Sequence, residues 1–353
     1  MDLRQIRAEI DSIDEQLLLL LNRRMEFTLR TRKLKSSVEE PKREQEIISR
    51  IRSRFTQLIS PEFSERLFLE IFAESKRLQS ESRLLVGFQC EHGAFSEIAV
   101  KHAFPDAIAI PHVDFHGVFE GVKSGVLDYG VVPVENSVAG NVTEVDDLLI
   151  HSDLFIVSEV HSPIEHCLMA LPGVDHREIR VVYSHPQAIA QCRAFLTRNR
   201  LEARPYFNTA GAALMLAREQ PLGAAVIASK LSAELYGLEI LKESVQDSAE
   251  NQTRFLVLGN SPSTALGTKC SLVLTTNHKP GALYQLLQVF SETGINLTRI
   301  ESRPHKSDNA RFAFLLDFEG GEHEKKVASA LEMLMSEGAE VRLLGSYREL
   351  ASD

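Results

Sequence analysis

Residues 250–259 read ENQTRFLVLG. The apolar run 255–258 is typical of a buried strand, and Thr253 and Arg254 stand directly before it. One interpretation is an ordinary strand end with a solvated arginine. The other is a site for an anionic substrate, because a guanidinium group pairs with carboxylates and a neighbouring hydroxyl can donate a hydrogen bond.

Upstream of this stretch, apolar runs alternate with helical stretches back to about residue 83. The runs are LLVGF, YGVVPV, LFIVSEV, HCLMAL, IRVVYS and AAVIAS. Short buried strands that alternate with helices are typical of an α/β domain with a mostly buried sheet. We therefore predict such a domain over residues 83–260.

Polar side chains cluster where several of these strands end. The strings are GFQCEHGAFSE, VVPVENSVAGNV, VYSHPQAIAQC and FNTAGAA. Each string alone is explained as well by a helix cap or a turn, but α/β sheets bind ligands at the carboxyl ends of their strands. We predict one shared cleft that includes the backbone amides near Gly93. Its candidate side chains are Ser96, Glu135, Asn136, Ser137, Gln187 and Thr209.

Downstream, the string NSPSTALGT (260–268) has the composition of a linker. The remainder predicts strand 269–276, helix 281–293, strands 295–303 and 310–318, helix 322–336 and strand 340–346. This βαββαβ order is that of a ferredoxin-like α+β domain, predicted over 269–348. Backbone amides at Gly281 and the Glu301-Ser302 pair could bind an amino acid, or be an ordinary turn and an exposed strand end.

The first 82 residues contain no glycine and show helical periodicity throughout. Apolar residues from Ile6 to Leu21 recur at steps of three and four, which predicts one long amphipathic helix. Pro41 interrupts it, a second helix is predicted over 43–58, and Pro61 begins a third. Such a segment has no compact core of its own, so we expect self-association.

Several cations in this segment are spaced by nearly whole helical turns. Arg7, Arg24 and Lys35 are 17 and 11 residues apart, so they could share a face. Arg43 and Glu44 open the second helix, and Ser75 and Gln79 lie one turn apart on the third. Converging cations would bind a dicarboxylate, whereas the simpler interpretation is a solvated helix face.

Composition excludes several classes of protein. The formal net charge of −10 disfavours nucleic-acid binding, and 44% apolar with 25% charged residues is ordinary for a globular chain of 353 residues. The four cysteines form no CxxC, and neither HExxH nor a glycine-rich nucleotide motif occurs, so we expect no metal and no cofactor. Without a signal core or a membrane-length apolar run, we expect a cytoplasmic protein without membrane contact.

The N-terminal strings LRQIRAEIDSIDEQLLLLLNRRMEF, RKLK, KREQEII and ERLFLEIFAESKRLQ resemble the all-helical chorismate mutase family. The resemblance implies an intertwined dimer over residues 1–82 that rearranges chorismate to prephenate. Arg7, Arg24 and Arg43 would hold the carboxylates, with Arg7 reaching the partner's site. Lys35 and Gln79 would bracket the ether oxygen, Glu44 would accept from the ring hydroxyl, and Glu40 and Ser75 would complete the site.

The central strings, Gly-Ala-Phe-Ser-Glu, VPVENS, SHPQA, NTAGAA, ELYGLEIL and NQTRF, resemble the prephenate dehydratase family. The family fold is a two-lobed α/β arrangement like periplasmic binding proteins, with the active site between the lobes. Its reaction expels CO₂ and hydroxide from prephenate and leaves phenylpyruvate. By this resemblance Thr253 donates a proton to the departing hydroxyl, Arg254 fixes a carboxylate and Phe255 seats the strand. Ser96, Glu135, Asn136, Ser137, Gln187 and Thr209 would line the pocket.

The C-terminal strings HKPGALYQLL and LTRIESRP resemble the ACT regulatory domain that binds phenylalanine. The resemblance implies feedback inhibition at a site formed by Gly281, Ala282, Leu283, Glu301, Ser302 and Arg303.

The domain order resembles the bifunctional chorismate mutase–prephenate dehydratase family, with a homodimer or larger homo-oligomer expected. Two alternatives stay open. The helical domain could be an inactive dimerisation module, because the link from Lys35 to Glu40 is short, and arogenate could replace prephenate. A non-catalytic two-lobed sensor is a third interpretation.

Overall fold

A computed structural model of the chain describes residues 2–35, 39–54, 58–277, 279–304 and 311–350. The chain divides into two compact units, which are described separately. The first comprises residues 1–85 with 125–127, and the second comprises residues 86–124 with 128–353. Within the described residues, no helix is both long and apolar enough to cross a membrane.

The first unit consists of three helices, which are α1 (Leu3–Thr31), α2 (Pro41–Arg52) and α3 (Pro61–Ser80). Asp2 and Gln5 form a capping box at the start of α1, because each side chain accepts from the other residue's backbone N–H. Pro41 occupies the first turn of α2, where its missing N–H costs nothing, and Ser60 caps α3 by accepting from Phe63 N at 3.1 Å.

Two predictions about these helices are wrong. The second helix ends at Arg52 rather than at residue 58. Lys35 is not on a helix, because α1 ends at Thr31 and a 3₁₀ turn over 32–34 leaves Lys35 extended. Its spacing from Arg24 therefore does not put the two on one helical face.

The apolar stripe of α1 is exposed in the single chain. Each member from residue 6 to residue 20 is between 43% and 60% exposed; they are Ile6, Ile10, Ile13, Leu17 and Leu20. Near the other end of the helix, Leu29 is buried, as are Ile71 and Phe72 of α3. The unit thus buries one end of α1 and leaves an apolar surface along the other.

The α/β part of the second unit has two lobes, each built on its own sheet. The first sheet has the order β2-β1-β3-β11-β5 with β4 beside β3, and the second has the order β10-β6-β9-β7-β8. The strands are β1 (Leu85–Gln89), β2 (Ile108–His112), β3 (Tyr129–Asn136), β4 (Gly140–Asn141), β5 (Phe155–Pro163), β6 (Cys167–Ala170), β7 (Val181–Ser184), β8 (Glu202–Pro205), β9 (Ala224–Ala228), β10 (Glu239–Lys242) and β11 (Gln252–Gly259). The helices are α4 (Phe95–Ala103), α5 (Phe115–Lys123), α6 (Thr143–His151), α7 (Pro186–Gln191), α8 (Arg193–Arg198), α9 (Thr209–Glu219) and α10 (Lys230–Tyr236).

The chain crosses between the lobes twice. It leaves the first lobe after β5 and returns with β11, which lies antiparallel between β3 and β5. The two crossings are hydrogen-bonded to each other, Ile164 N to Asn251 O at 2.8 Å and Val245 N to His166 O at 2.9 Å. Residues of both crossings therefore meet where the lobes adjoin.

The C-terminal part is a four-stranded sheet of order β13-β14-β12-β15 with two helices. Its elements are β12 (Lys269–Asn277), α11 (Ala282–Glu292), β13 (Leu297–Pro304), β14 (Arg311–Glu319), α12 (Lys325–Ser336) and β15 (Glu340–Tyr347). Leu272, Leu316 and Phe290 belong to the core between the sheet and the helices. The observed βαββαβ order agrees with the sequence prediction.

The other face of this sheet lies against the first lobe. Leu350 N donates to Glu159 O at 2.8 Å, and Ser158 Oγ donates to Arg348 O at 2.6 Å. At Gly345 the approach is so close that a Cβ would lie 2.1 Å from Ile156 O, so only glycine fits there.

Candidate active sites

The helical unit contains an open pocket of about 360 Å³. Seven of the eight side chains predicted for the mutase site line it, namely Arg24, Lys35, Glu40, Arg43, Glu44, Ser75 and Gln79. The eighth, Arg7, does not line this pocket and is exposed on α1. Three of the predicted cations, Arg24, Lys35 and Arg43, therefore face one concave space beside the apolar side chains of Phe27, Ile47 and Phe72.

Arg24 is the most constrained of these cations. Its Nη1 donates to Ser75 Oγ at 2.7 Å, and its guanidinium lies 5.5 Å from the centre of the Phe72 ring. Ser75 in turn donates to Ile71 O at 2.7 Å. A guanidinium held by an aromatic ring and a hydroxyl is pre-organised to bind a carboxylate.

Lys35 and Gln79 both line the pocket, and each side chain is held by polar contacts within the helical unit. Lys35 pairs with Glu40, which uses one of its three donors, and the link residues 36–38 lie outside the described residues. Gln79 Nε2 donates to Thr28 O at 2.6 Å and to Thr31 Oγ1 at 3.1 Å. Thr31 thus fixes the amide of Gln79.

Sequence reasoning missed Lys76, which lines the pocket and pairs with Glu44 at 2.8 Å. The sequence does place Lys76 directly after Ser75 and one helical turn before Gln79, and this spacing could have predicted its position at the pocket.

In the α/β part, Thr253 and Asn136 are direct partners across β11 and β3. Asn136 Nδ2 donates to Thr253 Oγ1 at 2.9 Å, and both side chains are buried. Since the hydroxyl oxygen accepts from Asn136, its own hydrogen is free to be donated elsewhere.

A β-bulge brings this pair together. Arg254 pairs with Glu135 but Phe255 pairs with Pro133, so Val134 is an extra residue on β3. Proline has no N–H for the ladder and is tolerated at bulges, which re-aim side chains beside active sites. The bulged Val134 thus lies two residues before Asn136 in the string VPVENS.

A chain of side-chain amides extends from Asn136 into the second lobe. Asn136 Nδ2 also donates to Asn251 Oδ1 at 2.8 Å, and Asn251 Nδ2 donates to Gln191 Oε1 at 3.1 Å. His166 Nε2 lies 2.8 Å from the same Gln191 oxygen. Sequence reasoning missed these three residues, although Asn251 precedes the Thr-Arg pair and Gln191 lies one turn after Gln187.

The remaining predicted cleft residues are not all brought together. Glu135 is exposed and shares its side of the strand with Arg254 rather than with Thr253. Ser137 Oγ donates to Glu250 O at 2.9 Å and accepts from Gln252 N at 3.0 Å, so it ties β3 to β11. The others lie at helix starts or in the core: Ser96 is buried, Gln187 is exposed, Thr209 is half-buried, and Phe255 is buried in the first-lobe core.

The Arg254 guanidinium, predicted to fix a substrate carboxylate, is already paired within the chain, and its role at the substrate stays a prediction. Its guanidinium pairs with Glu159 and with Asp317 of β14, each at 2.6 Å, and it is only 5% exposed. Side chains alternate along a strand, so Arg254 points away from the face that carries Thr253.

The turn before α4 is held by Glu97. Its carboxylate accepts from Gly93 N at 2.7 Å and lies 3.2 Å from His92 Nδ1. The Gly93 amide, predicted to meet an anion, is therefore already bonded. Burial would raise the pKa of the Glu97 carboxyl, but His92, Gly93 and Lys101 together lower that pKa below its usual value of 4.5.

We expect the stabilisation by Glu97 to depend on pH. Because its pKa is lower in the folded state than in the unfolded one, the contribution is complete above about pH 4.5 and is lost as the pH falls through the folded-state pKa. Glu97→Gln should lower the free energy of unfolding by about 1–3 kcal/mol at pH 7 and by less at pH 3, where the carboxyl is closer to its folded-state pKa. Thermal unfolding at both pH values measures this. The exposed Glu120→Gln is the control, and an equal loss for Glu97→Gln at both pH values would contradict the prediction.

The residues predicted for phenylalanine binding lie on β13 and at the start of α11. Arg303 pairs with Asp147 of α6 at 2.6 Å, and Glu301 accepts a hydrogen bond from Asn141 of β4. Ser302 points to the opposite side of β13 and is exposed. Gly281 has φ +84 and precedes Ala282 and Leu283, which begin α11. The single chain thus separates Glu301 and Arg303 from Ser302.

Glu159, His161 and Glu349 form a group with the spacing of metal ligands. Arg254 and Lys269 both bind the Glu159 carboxylate, so its charge is already balanced. We therefore do not assign a metal to this group.

Three family models match the chain, in the predicted order. They are chorismate mutase type II over residues 6–80, prephenate dehydratase over 86–263 and the ACT domain over 271–332.

Similar proteins span most or all of the chain. A bifunctional chorismate mutase/prephenate dehydratase of Aquifex aeolicus is 35% identical, over 98% of this chain and 98% of its own. An Arabidopsis thaliana protein named arogenate dehydratase/prephenate dehydratase 2 is 38% identical over 77% of this chain and 75% of its own. The crystal structure of prephenate dehydratase from Arthrobacter aurescens in complex with L-Phe has a TM-score of 0.70 and 32% identity, covering 76% of this chain and 91% of that one.

These findings confirm the predicted fold class, one helical, one α/β and one ACT domain. They also favour the bifunctional interpretation over a dehydratase alone, because the Aquifex relative matches through the helical domain. The chain therefore belongs to the family of bifunctional chorismate mutase/prephenate dehydratases.

Proposed function

We propose that this chain converts chorismate to prephenate in its helical domain and prephenate to phenylpyruvate in its two-lobed domain, under inhibition by phenylalanine. The observation that carries the second activity is the buried hydrogen bond between Asn136 and Thr253 beside the lobe crossings. The pocket lined by Arg24, Lys35 and Arg43 supports the first activity.

The mutase step needs binding and electrostatics rather than proton transfer. Chorismate rearranges in one pericyclic step, in which a C–O bond breaks as a C–C bond forms, so the protein contributes by holding the reactive conformer. Arg24 and Arg43 bind the carboxylates. Lys35, which has two donors left beside Glu40, stabilises the negative charge that develops on the ether oxygen.

A second copy of the chain completes the mutase site. Arg7 is exposed and does not line the pocket of its own helical unit, and the exposed stripe of α1 runs beside it. Burial of that stripe against an identical helix in a homodimer would bring Arg7 to the partner's pocket. This isologous arrangement is the commonest for homo-oligomers.

The dehydratase step needs a proton for the hydroxyl that leaves. As the ring carboxylate departs as CO₂, its C–C bonding pair makes the ring aromatic and the C–O bond breaks. The Thr253 hydroxyl, oriented by Asn136, gives its proton to the leaving oxygen, which departs as water, and solvent then reprotonates Thr253. Ser96, Gln187 and Thr209 are proposed to contact the substrate.

Phenylalanine binds the ACT domain in this proposal. The Arthrobacter relative was crystallised with L-Phe, and the ACT model matches residues 271–332 of this chain, which include Gly281, Glu301 and Ser302. The carboxylate of Glu301 would pair with the ligand ammonium, and the backbone at Gly281 would meet its carboxylate. The cytoplasmic location and the absence of nucleic-acid, membrane and cofactor partners stay predictions.

One assay tests the proposal. The purified chain, dialysed against a chelator, is offered chorismate, prephenate or arogenate, with and without phenylalanine. We expect chorismate to be consumed and phenylpyruvate to form, with less product when phenylalanine is present. Unchanged chorismate would instead favour the inactive dimerisation module. A higher kcat/KM for arogenate than for prephenate would favour the alternative substrate, which the name of the Arabidopsis relative supports.

A further inference from the structure

Arg254 is the centre of a buried ionic cluster that joins the α/β part to the ACT sheet. Its Nε donates to Glu159 Oε2 at 2.6 Å, its Nη1 to Asp317 Oδ2 at 2.6 Å and its Nη2 to Tyr347 OH at 3.1 Å. Glu159 lies on β5, whereas Asp317 and Tyr347 belong to the ACT sheet. The guanidinium is therefore held from both domains at once.

Each of the two buried carboxylates in the cluster has two partners, Arg254 and Lys269 for Glu159 and Arg254 and Ser271 for Asp317. Lys269 Nζ donates to Glu159 at 3.0 Å, and Ser271 Oγ donates to Asp317 Oδ1 at 2.5 Å. Two cations thus balance the two buried carboxylates. Burial would lower the pKa of Arg254, but Asp317, Tyr347 and Glu159 outweigh burial and raise it. Removal of one partner would leave an uncompensated buried charge, so the contact is specific.

The side chains of Thr253 and Arg254 lie on opposite faces of β11. Thr253 bonds to Asn136 on one face, and Arg254 bonds to Asp317 on the other. Neighbouring residues of one strand share a peptide plane, so a shift of the β11 backbone at Arg254 also shifts the Cα of Thr253.

The ACT sheet also contacts the segment that follows Asn136. Arg299 Nη2 donates to Asp146 Oδ1 at 2.6 Å, and Asn141 donates to Glu301. Gly140, next to Asn141, pairs with Asn136 across β4 and β3, and Arg299 lies opposite Asp317 across β13 and β14. Both strands of the Thr253–Asn136 pair are therefore attached to the sheet that carries Glu301.

We propose that the Asp317–Arg254 ion pair is the contact through which phenylalanine on the ACT sheet acts on the dehydratase site. The inference rests on the proposed function. A ligand on β13 that favours another position of β14 changes the contact between Asp317 and Arg254. The β11 backbone then shifts, and Thr253 shifts with it. A misplacement of about 1 Å at a catalytic group can cost about 100-fold in rate, which is enough for inhibition. The coupling exists only if the two arrangements differ in their affinity for phenylalanine.

The test uses Asp317→Asn in the full chain. Asparagine keeps the size of the side chain but loses the charge, and Arg254 keeps Glu159 as a partner. Two quantities are measured: phenylalanine binding by calorimetry, and the dehydratase rate at saturating phenylalanine relative to the rate without it. Allosteric coupling is typically about 5- to 150-fold, so the wild type should retain a small fraction of its rate. Asp317→Asn should still bind phenylalanine but retain at least about half of its rate.

A second variant separates coupling from charge balance. In Asp317→Asn/Lys269→Met the cluster is neutral again, because one cation and one anion have been removed. We expect this pair to regain thermal stability while inhibition stays lost. If Asp317→Asn does not fold, the neutral pair alone carries the test. Mutase activity of the same chain reports on the integrity of the helical domain.

Arg342→Gln is the matched control. Arg342 donates to Leu149 O at 2.7 Å and Ser152 O at 2.6 Å, so it joins the same two domains without contact to Arg254. Its loss should leave inhibition intact. Full inhibition of Asp317→Asn, or its return in the neutral pair, would overturn the inference. A wild type that phenylalanine does not inhibit would refute the proposed regulation instead.

Discussion

Replacing Thr253 with valine is expected to lower the dehydratase turnover number by about 100- to 10,000-fold, the usual contribution of a positioned proton donor. Valine keeps the branched shape in a site that is only 7% exposed, so the strand should keep its packing. The Asn136 amide loses its acceptor at 2.9 Å but keeps Asn251. The measurement is phenylpyruvate formation from prephenate, with chorismate consumption by the same sample as the reference.

The control for this prediction is Thr253→Ser, which keeps the hydroxyl and removes only a methyl group. We expect it to retain a turnover within about tenfold of the wild type, because the proton donor remains and only packing is lost. A valine variant that forms phenylpyruvate at the wild-type rate would remove Thr253 from the mechanism. That result would not bear on the mutase activity proposed for the helical domain.

Replacing Arg24 with alanine is expected to lower the mutase kcat/KM by about 100- to 1,000-fold, as for the loss of one pre-organised electrostatic group. The guanidinium lines the pocket and is fixed by Ser75 at 2.7 Å. Its loss also exposes one face of Phe72, so the helical content of each variant is checked by circular dichroism. Chorismate consumption is the readout. The rate of phenylpyruvate formation from added prephenate should not change.

Arg23→Ala is the matched control for Arg24→Ala. Arg23 is the preceding residue on the same helix, is exposed, and does not line the pocket. If the geometry of the pocket decides activity, Arg23→Ala removes the same charge as Arg24→Ala but has little effect on the mutase rate. Equal losses for both variants would mean that net charge, and not the pocket, governs chorismate binding.

The sequence was sufficient for the fold where local patterns repeat. The βαββαβ order of the last domain follows from turn residues and alternating runs, and the start of the third helix from Pro61. The end of the second helix could not be predicted in this way, because apolar spacing continues past Arg52 although the described helix stops there. Spacing in whole helical turns predicts Lys35 on the same helical face as Arg24, whereas α1 ends four residues before Lys35.

The candidate sites show the same division. Family motifs mark the predicted mutase residues, and the packing of α1, α2 and α3 brings seven of the eight to one pocket, with Arg7 outside it. The pairing of Arg254 could not be predicted, because its partner Asp317 lies 63 residues away in another domain and no local pattern links them. Gln191 and Asn251 join the site only where the two lobes meet, so contacts between distant segments decide their role.

The position of β11 has a consequence for synthesis on the ribosome. This strand lies between β3 and β5, but Thr253 is translated 117 residues after its partner Asn136. At about 5–20 residues per second, the nascent first lobe waits on the order of ten seconds for its middle strand, while the strands of the second lobe have already emerged. During that interval the edges of β3 and β5 are unpaired and open to association with other nascent chains.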